Sequence, residues 1–481
     1  MTTTQPWLFA LLVVVGCSAQ PFRGPEQGGA RWTEARSQHV RLWTSQDDDR
    51  ARSILAKLET AHALLETVAF PSRENPPGVS ELVVLPAEEF DTLQESGLVG
   101  QPFAGLYAKV GVGYAAHPLL VTRGDLGEAD VALFEHELTH HFTAFHFPAA
   151  PPWLHEGLAT FWSTLEVKGN TAYFGGAVRA AYKPTPFREL LTLGPHEFYD
   201  DENAHQNYAG ATALAYQLYF KHRDVLALYL RELKSGQMDE RAAWSKATDG
   251  KLDALEESFN FFFEEQGTQA ELPAPHVEAQ VDLSELSAVD THLLWASIWE
   301  SSPRTFGRAR AELEAALRAD PFSAEALAMR ASLRLRQNDQ RGARKDIEKA
   351  LELAATRSKV LASALEISLV SDQELSISKN QLAHRLQKFQ LNARQLLLLG
   401  EYFGTTGQAD RGVETLARAV RIDSSCVDCY AAASELFAAR GEWPNALGAL
   451  KTSLALRPEQ TNARQRKRLR ELESEAVEHA K

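Results

Sequence analysis

Sulfur and basic charge are what this chain has least of. Its 481 residues include three cysteines and three methionines, and 50 Lys+Arg stand against 64 Asp+Glu, a net charge of −14. Three cysteines are too few for a disulfide-built scaffold. The acidic balance speaks against nucleic acid as a partner, because phosphate binding needs concentrated basic charge. No apolar run reaches the roughly 18–20 residues that span a bilayer, which excludes a polytopic membrane protein. What remains is globular composition, 44% apolar and 24% charged, over a length that calls for two or three domains.

The N-terminus reads as an export signal. Trp7–Val15 is an apolar run long enough for a signal core and too short for a membrane helix. It leads into Val14-Val15-Gly16-Cys17, which resembles a bacterial lipobox. The resemblance implies a signal over 1–17, acylation of Cys17, and membrane attachment through the lipid. Ser18 after the cysteine suits an outer membrane, facing the periplasm. The leader departs from the pattern in having no Lys or Arg before Trp7; an uncleaved anchor or a plain signal cut after Ala19 are the alternatives. Residues 18–37, rich in Gly, Pro, Gln and Ser, are expected to form a flexible tether.

From there the pattern alternates. His39–Thr44, Glu81–Pro86 and His117–Thr122 have strand character, and Asp47–Ala69 and Ala87–Ser96 helix character. Gly105–Gly113 is glycine-rich, with accessible backbone. The expectation is a small sheet packed on helices, an α+β domain over 38–270. In Asp130–Phe147 the apolar positions Val131, Phe134, Leu138, Phe142 and Phe145 recur at helical spacing. The same stretch holds His136-Glu137-Leu138-Thr139-His140. Imidazoles four residues apart share one helix face and can reach a single metal ion. Glu137 follows the first histidine and is placed to take a proton from an activated water.

Trp153-Leu154-His155-Glu156-Gly157-Leu158-Ala159 follows, behind prolines that suit a helix start. A His-Glu-x-x-His helix followed by Trp-Leu-x-Glu-Gly-Leu-Ala resembles the gluzincin (MA-type) metallopeptidases, in particular bacterial peptidase-MA-like domains. The resemblance covers about 38–270 and is sharp across 134–161. It implies a zincin-like fold, one Zn2+ held by His136, His140 and Glu156, and Glu137 as general base in peptide hydrolysis. Thr160 stands where such enzymes commonly carry an acidic partner that orients a histidine, so that support comes from elsewhere. His146, six residues after His140, has the spacing of a third metzincin ligand, but Thr143 replaces the glycine such a chain needs midway and no Met-turn is evident. His141 and His155 lie on the wrong helix faces to be ligands.

Hydrolysis also needs a donor for the oxyanion. In His205-Gln206-Asn207-Tyr208, Tyr208 is the first candidate and His205 the second. Val110–Ala115 is either an edge strand that pairs with extended peptide, as the resemblance suggests, or a glycine-rich loop.

Residues 271–288 are expected to be a linker. Beyond it, 289–460 repeat every 34 residues: Ala309, Ala343, Gly412 and Ala446 match, as do Leu313, Ile347, Leu416 and Leu450, and Ala316, Ala350, Ala419 and Ser453. This resembles tetratricopeptide repeats, paired helices with small residues where they touch. Four units start near 290, 324, 393 and 427; 358–392 has the length but a poor pattern and reads as degenerate or a bend, and 461–481 as a capping helix. A solenoid of this kind implies a protein partner on its surface. Cys426-Val427-Asp428-Cys429 lies at a repeat turn and reads as a structural disulfide or two half-buried thiols. Two functions follow: a membrane-tethered zinc peptidase acting on peptide or protein, or an inactive metallopeptidase-like scaffold whose repeats act as an adaptor.

Overall fold

The computed structural model describes residues 22–71, 76, 79–98, 105–110, 117–124, 128–147, 150–175, 183–199, 202–235, 240–261, 269–371, 374–423, 426–456 and 463–479. Cys17 and the signal lie outside them, as does 111–115 of the expected edge strand. The N-terminal half runs β1 (Thr33–Arg36), β2 (Val40–Thr44), α1 (Asp48–Leu64, with a π-turn after it), β3 (Ser80–Leu85), α2 (Ala87–Glu95), β4 (Gly105–Val110), β5 (His117–Arg123), α3 (Glu128–His146), α4 (Pro152–Trp162), β6 (Glu166–Lys168) and β7 (Thr171–Phe174). It continues through α5 (Phe187–Leu190), α6 (Pro195–Phe198), α7 (Ala204–Phe220), α8 (Arg223–Ser235), α9 (Glu240–Ala247), α10 (Leu252–Phe261), β8 (Ala270–Pro273) and β9 (Asp282–Glu285).

Six strands make one mixed sheet in the order β4-β5-β3-β2-β1-β9, with β2, β3 and β5 parallel. Side chains alternate across it with period two. Val40, Leu42, Leu82, Val84 and Leu120 face α1 and α3, packing on Ile54, Leu55, Leu58 and Phe134. Val83, Leu85, Leu119 and Val121 face the other way. Asp47 starts α1 by accepting the backbone N–H of Arg50. The glycine-rich segment holds β4 at Gly105–Val110, an edge strand of this sheet.

Two expectations are overturned. Residues 22–37 of the supposed tether fold: β1 pairs with both β2 and β9, and Trp32 is fully buried. The supposed linker 271–288 contributes β8, paired with β7 in a second sheet, and β9 at the edge of the first. Glycine and proline in the first segment, and proline and acidic residues in the second, masked short strands whose partners are distant in sequence.

The C-terminal half is a solenoid of helix pairs: α11 (Ala288–Trp299) with α12 (Phe306–Ala319), α13 (Ala324–Arg336) with α14 (Gln340–Ala354), α15 (Ser358–Val370) with α16 (Lys379–Leu386), α17 (Ala393–Thr405) with α18 (Ala409–Ile422), and α19 (Val427–Ala439) with α20 (Trp443–Leu456). α21 (Ala463–Glu478) caps them against α20. From α13 onward the first helices start 34 or 35 residues apart. The matching small positions are buried contacts: Ser434 Oγ donates to the Ala446 carbonyl at 2.8 Å, and a Cβ on Gly400 would fall 2.7 Å from the Leu416 side chain. The unit at 358–392 is a true pair whose second helix is cut to eight residues, which is why its offsets fail. Cys426 and Cys429 form a buried disulfide at the start of α19.

The halves share a core. α11 and α12 cover the sheet face bearing Val83 and Val121, with Trp295 edge-on to Trp32 at 6.0 Å. Phe22 stacks on Trp295, and Glu26 meets the buried His292, which Glu312 of α12 holds from its other ring nitrogen.

Candidate metal centre

His136 and His140 leave α3 one turn apart on one side. α4 begins at Pro152, where a missing N–H costs nothing because the first turn has no partner for it, and it packs directly on α3. Gly157 lets α4 approach α7: a Cβ there would sit 2.5 Å from the Ala211 carbonyl oxygen. Gly157→Ala is therefore expected to destabilise the fold by about 1–3 kcal/mol through overpacking, read as a lower denaturation midpoint; an unchanged midpoint would show that the helices have room.

This packing brings three donor atoms together. Glu156 Oε2 lies 3.3 Å from His136 Nε2 and 3.4 Å from His140 Nε2, and the two nitrogens are 3.1 Å apart. A tetrahedral ion with bonds of about 2.0–2.2 Å keeps its ligand atoms about 3.3–3.6 Å apart, so the triangle is within a few tenths of an ångström of that spacing. Among the described residues these three form the one cluster arranged to hold a metal ion. Glu156 is buried, and while its Oε1 accepts a 2.8 Å hydrogen bond from the Tyr199 hydroxyl, Oε2 accepts none. A buried carboxylate oxygen without a donor is costly unless positive charge faces it. Two imidazoles and a carboxylate form a zinc-type donor set, and the orphaned oxygen fits that ion.

Electrostatics bind the triad without metal. Burial pushes the His140 imidazole down, but the Glu156 carboxylate outweighs it and raises His140 to about 9. Burial pushes Glu156 up, and His140 with His136 holds it well below the usual carboxylate range. Near neutral pH an incoming cation therefore displaces a proton from His140. Zinc uptake is expected to release about one proton and to tighten about tenfold per pH unit up to about pH 9. Calorimetry in buffers of different ionisation heat measures this; an affinity independent of pH contradicts it.

Around the triad, the Tyr208 side chain on α7 reaches Glu156, and Glu137 lies close enough to act electrostatically on His140, Tyr199 and Tyr208. Burial and then Glu156 keep both phenols protonated, so each is a hydrogen-bond donor. His205 is exposed on the first turn of α7. His155, its ring 6.0 Å from His140, is pushed down to about 4 by burial and then by the charge of His140, so it stays neutral. His146 is buried against Phe70 in a parallel stack and stands apart from the triad. Tyr199 was missed by motif reading. The vacancy at Thr160 was the one signal that support for the ligands had to come from outside α4.

No family model matches the chain, and no curated protein matches its sequence. Solved structures match parts of it. PilF of Pseudomonas aeruginosa is 16% identical over 40% of this chain and 89% of its own, with a TM-score of 0.31. YrrB, described as a TPR protein with an unusual peptide-binding site, is 18% identical over 35% and 86%, at 0.27. A thermophilic TPR protein of Thermus thermophilus is 17% identical over 38% and 98%, at 0.30. The 34-residue pairing of helices described above identifies the C-terminal half as a solenoid of the tetratricopeptide type.

Proposed function

We propose that this chain is a zinc-dependent peptidase, exported and tethered to a membrane, with a repeat solenoid that engages protein partners. The observation that supports it most is the orphaned, buried Glu156 Oε2 facing two imidazole nitrogens at 3.3 and 3.4 Å. A zinc ion held by His136, His140 and Glu156 would supply Lewis acidity to a scissile carbonyl and acidify water beside it. Glu137 takes the proton from the attacking water and delivers it to the departing amine. Tyr208, kept protonated, donates a hydrogen bond to the oxyanion as it forms. Tyr199 holds Glu156 by its other oxygen and so fixes the carboxylate's direction. Peptide hydrolysis by the zinc-loaded chain, compared with its Glu137→Gln variant, tests the reading.

A second reading keeps the metal centre structural and makes the repeats the working surface, as an adaptor. The stacked helix pairs of the solenoid support a protein-binding role. In either case the tether is proposed to be a lipid on Cys17. Cys17→Ser is expected to move the protein from the membrane to the soluble fraction of the producing cell, and persistent membrane attachment contradicts the lipid.

A further inference from the structure

The Tyr199 ring stands at the surface, 45% exposed, yet its hydroxyl turns inward and donates to Glu156 Oε1 at 2.8 Å. The backbone that aims it is fastened from α7. Asn207, fully buried there, donates to the Phe198 carbonyl at 2.9 Å and to the Glu197 carbonyl at 3.3 Å, and its amide oxygen accepts the Thr185 hydroxyl. The Phe198 ring is buried beside that of Tyr208, with centroids 5.7 Å apart. Tyr199 therefore follows a segment held by both its carbonyls and its core side chain. A carboxylate can give a metal ion one oxygen or both. Glu156 is divided: Oε1 is engaged by the phenol, while Oε2 has no donor and faces the Nε2 atoms of His136 and His140 at 3.3 and 3.4 Å. The division decides which kind of site can form. Three protein donor atoms leave a position for water or substrate, whereas four close the shell, as in zinc sites that only hold a fold together.

We propose that Tyr199 is a positioning residue that keeps Glu156 a one-oxygen ligand and so preserves the open coordination position that hydrolysis needs. The role itself rests on the metal triad, and its consequence for hydrolysis rests on the peptidase reading. A phenol at neutral pH carries one O–H to donate, and that bond must break before Oε1 can turn to the ion. Removing the hydroxyl frees Oε1, which then has no donor and gains most by binding the cation beside Oε2.

The test compares the full chain with Tyr199→Phe, which removes the hydroxyl and keeps the ring, each loaded with zinc alone. Infrared difference spectra of zinc binding, read at the carboxylate stretches, separate one-oxygen from two-oxygen coordination. Cobalt(II) in place of zinc reports an added ligand as a weaker visible absorption. The expected result is a one-oxygen signature in the parent and a two-oxygen signature in the variant, at equal metal content. With peptide, kcat should fall by about 10–100-fold in the variant while KM changes little. Should Tyr199→Phe fold poorly, Tyr199→Ala is expected to give the same spectral change, because the hydroxyl and not the exposed ring decides it. A two-oxygen signature in the parent, or one signature shared by the parent and both variants with zinc bound, overturns the role of Tyr199 and leaves the peptidase standing. Spectra that change as expected while the zinc-loaded parent cuts no peptide overturn the peptidase and keep the positioning role. A parent that binds no zinc overturns both.

Discussion

Replacing Glu137 with glutamine is expected to leave zinc bound and to lower kcat/KM by about 10²–10⁴-fold, the range a positioned general base contributes. The substitution preserves shape and removes only the basic oxygen. Glu137 is outside the donor triangle, so the metal content should stay at one ion per chain. Its influence on His140 is the last of the electrostatic contributions to that imidazole, after those of Glu156, which keeps the loss of charge from disturbing the ligands. Metal analysis and initial-rate kinetics on one preparation separate the outcomes. Full activity with full metal would remove Glu137 from the chemistry.

Glu156→Ala is expected to have the largest effect on metal binding, exceeding the roughly 10–100-fold lost when an outer partner of a ligand is removed. The two imidazoles would remain one turn apart with no anionic donor, and Tyr199 would lose its acceptor. Equilibrium dialysis against zinc reads the loss directly, and hydrolysis should vanish with the metal. The metal-free protein carries a second signature. His140 is raised from 6.5 to about 9, so its pairing adds stability that is complete below about 6.5 and lost as pH rises through about 9. Glu156 is lowered from 4.5, so its share is present above about 4.5 and lost as pH falls. Denaturation of the metal-free parent should therefore show its greatest advantage over Glu156→Ala between about pH 4.5 and 6.5. A flat difference across pH would mean the triad is not paired.

Much of this was legible in residue order because it is local. The periodicity of 130–147, the proline start of α4 and the 34-residue spacing each rest on contacts within a turn or a hairpin. The first helices of the later repeats begin where their small residues placed them, at Ala324, Ala393 and Val427. What was hidden is non-local. β1 and β9 are short, polar on one side, and pair across about 250 residues, so composition suggested a tether and a linker. Tyr199 belongs to no motif; it reaches Glu156 because α6 and α7 fold back over α4. The third repeat hid because its second helix is truncated, although Val360–Ser368 of its first helix is buried without a break.

X-ray absorption at the zinc edge on the full chain, with Glu156→Ala as reference, tests the central claim most directly. The account expects one ion with two imidazole nitrogens and a carboxylate oxygen at about 2.0–2.2 Å, the carboxylate lost in the variant. A parent that binds no zinc, or whose zinc shell is the same with and without Glu156, would contradict it.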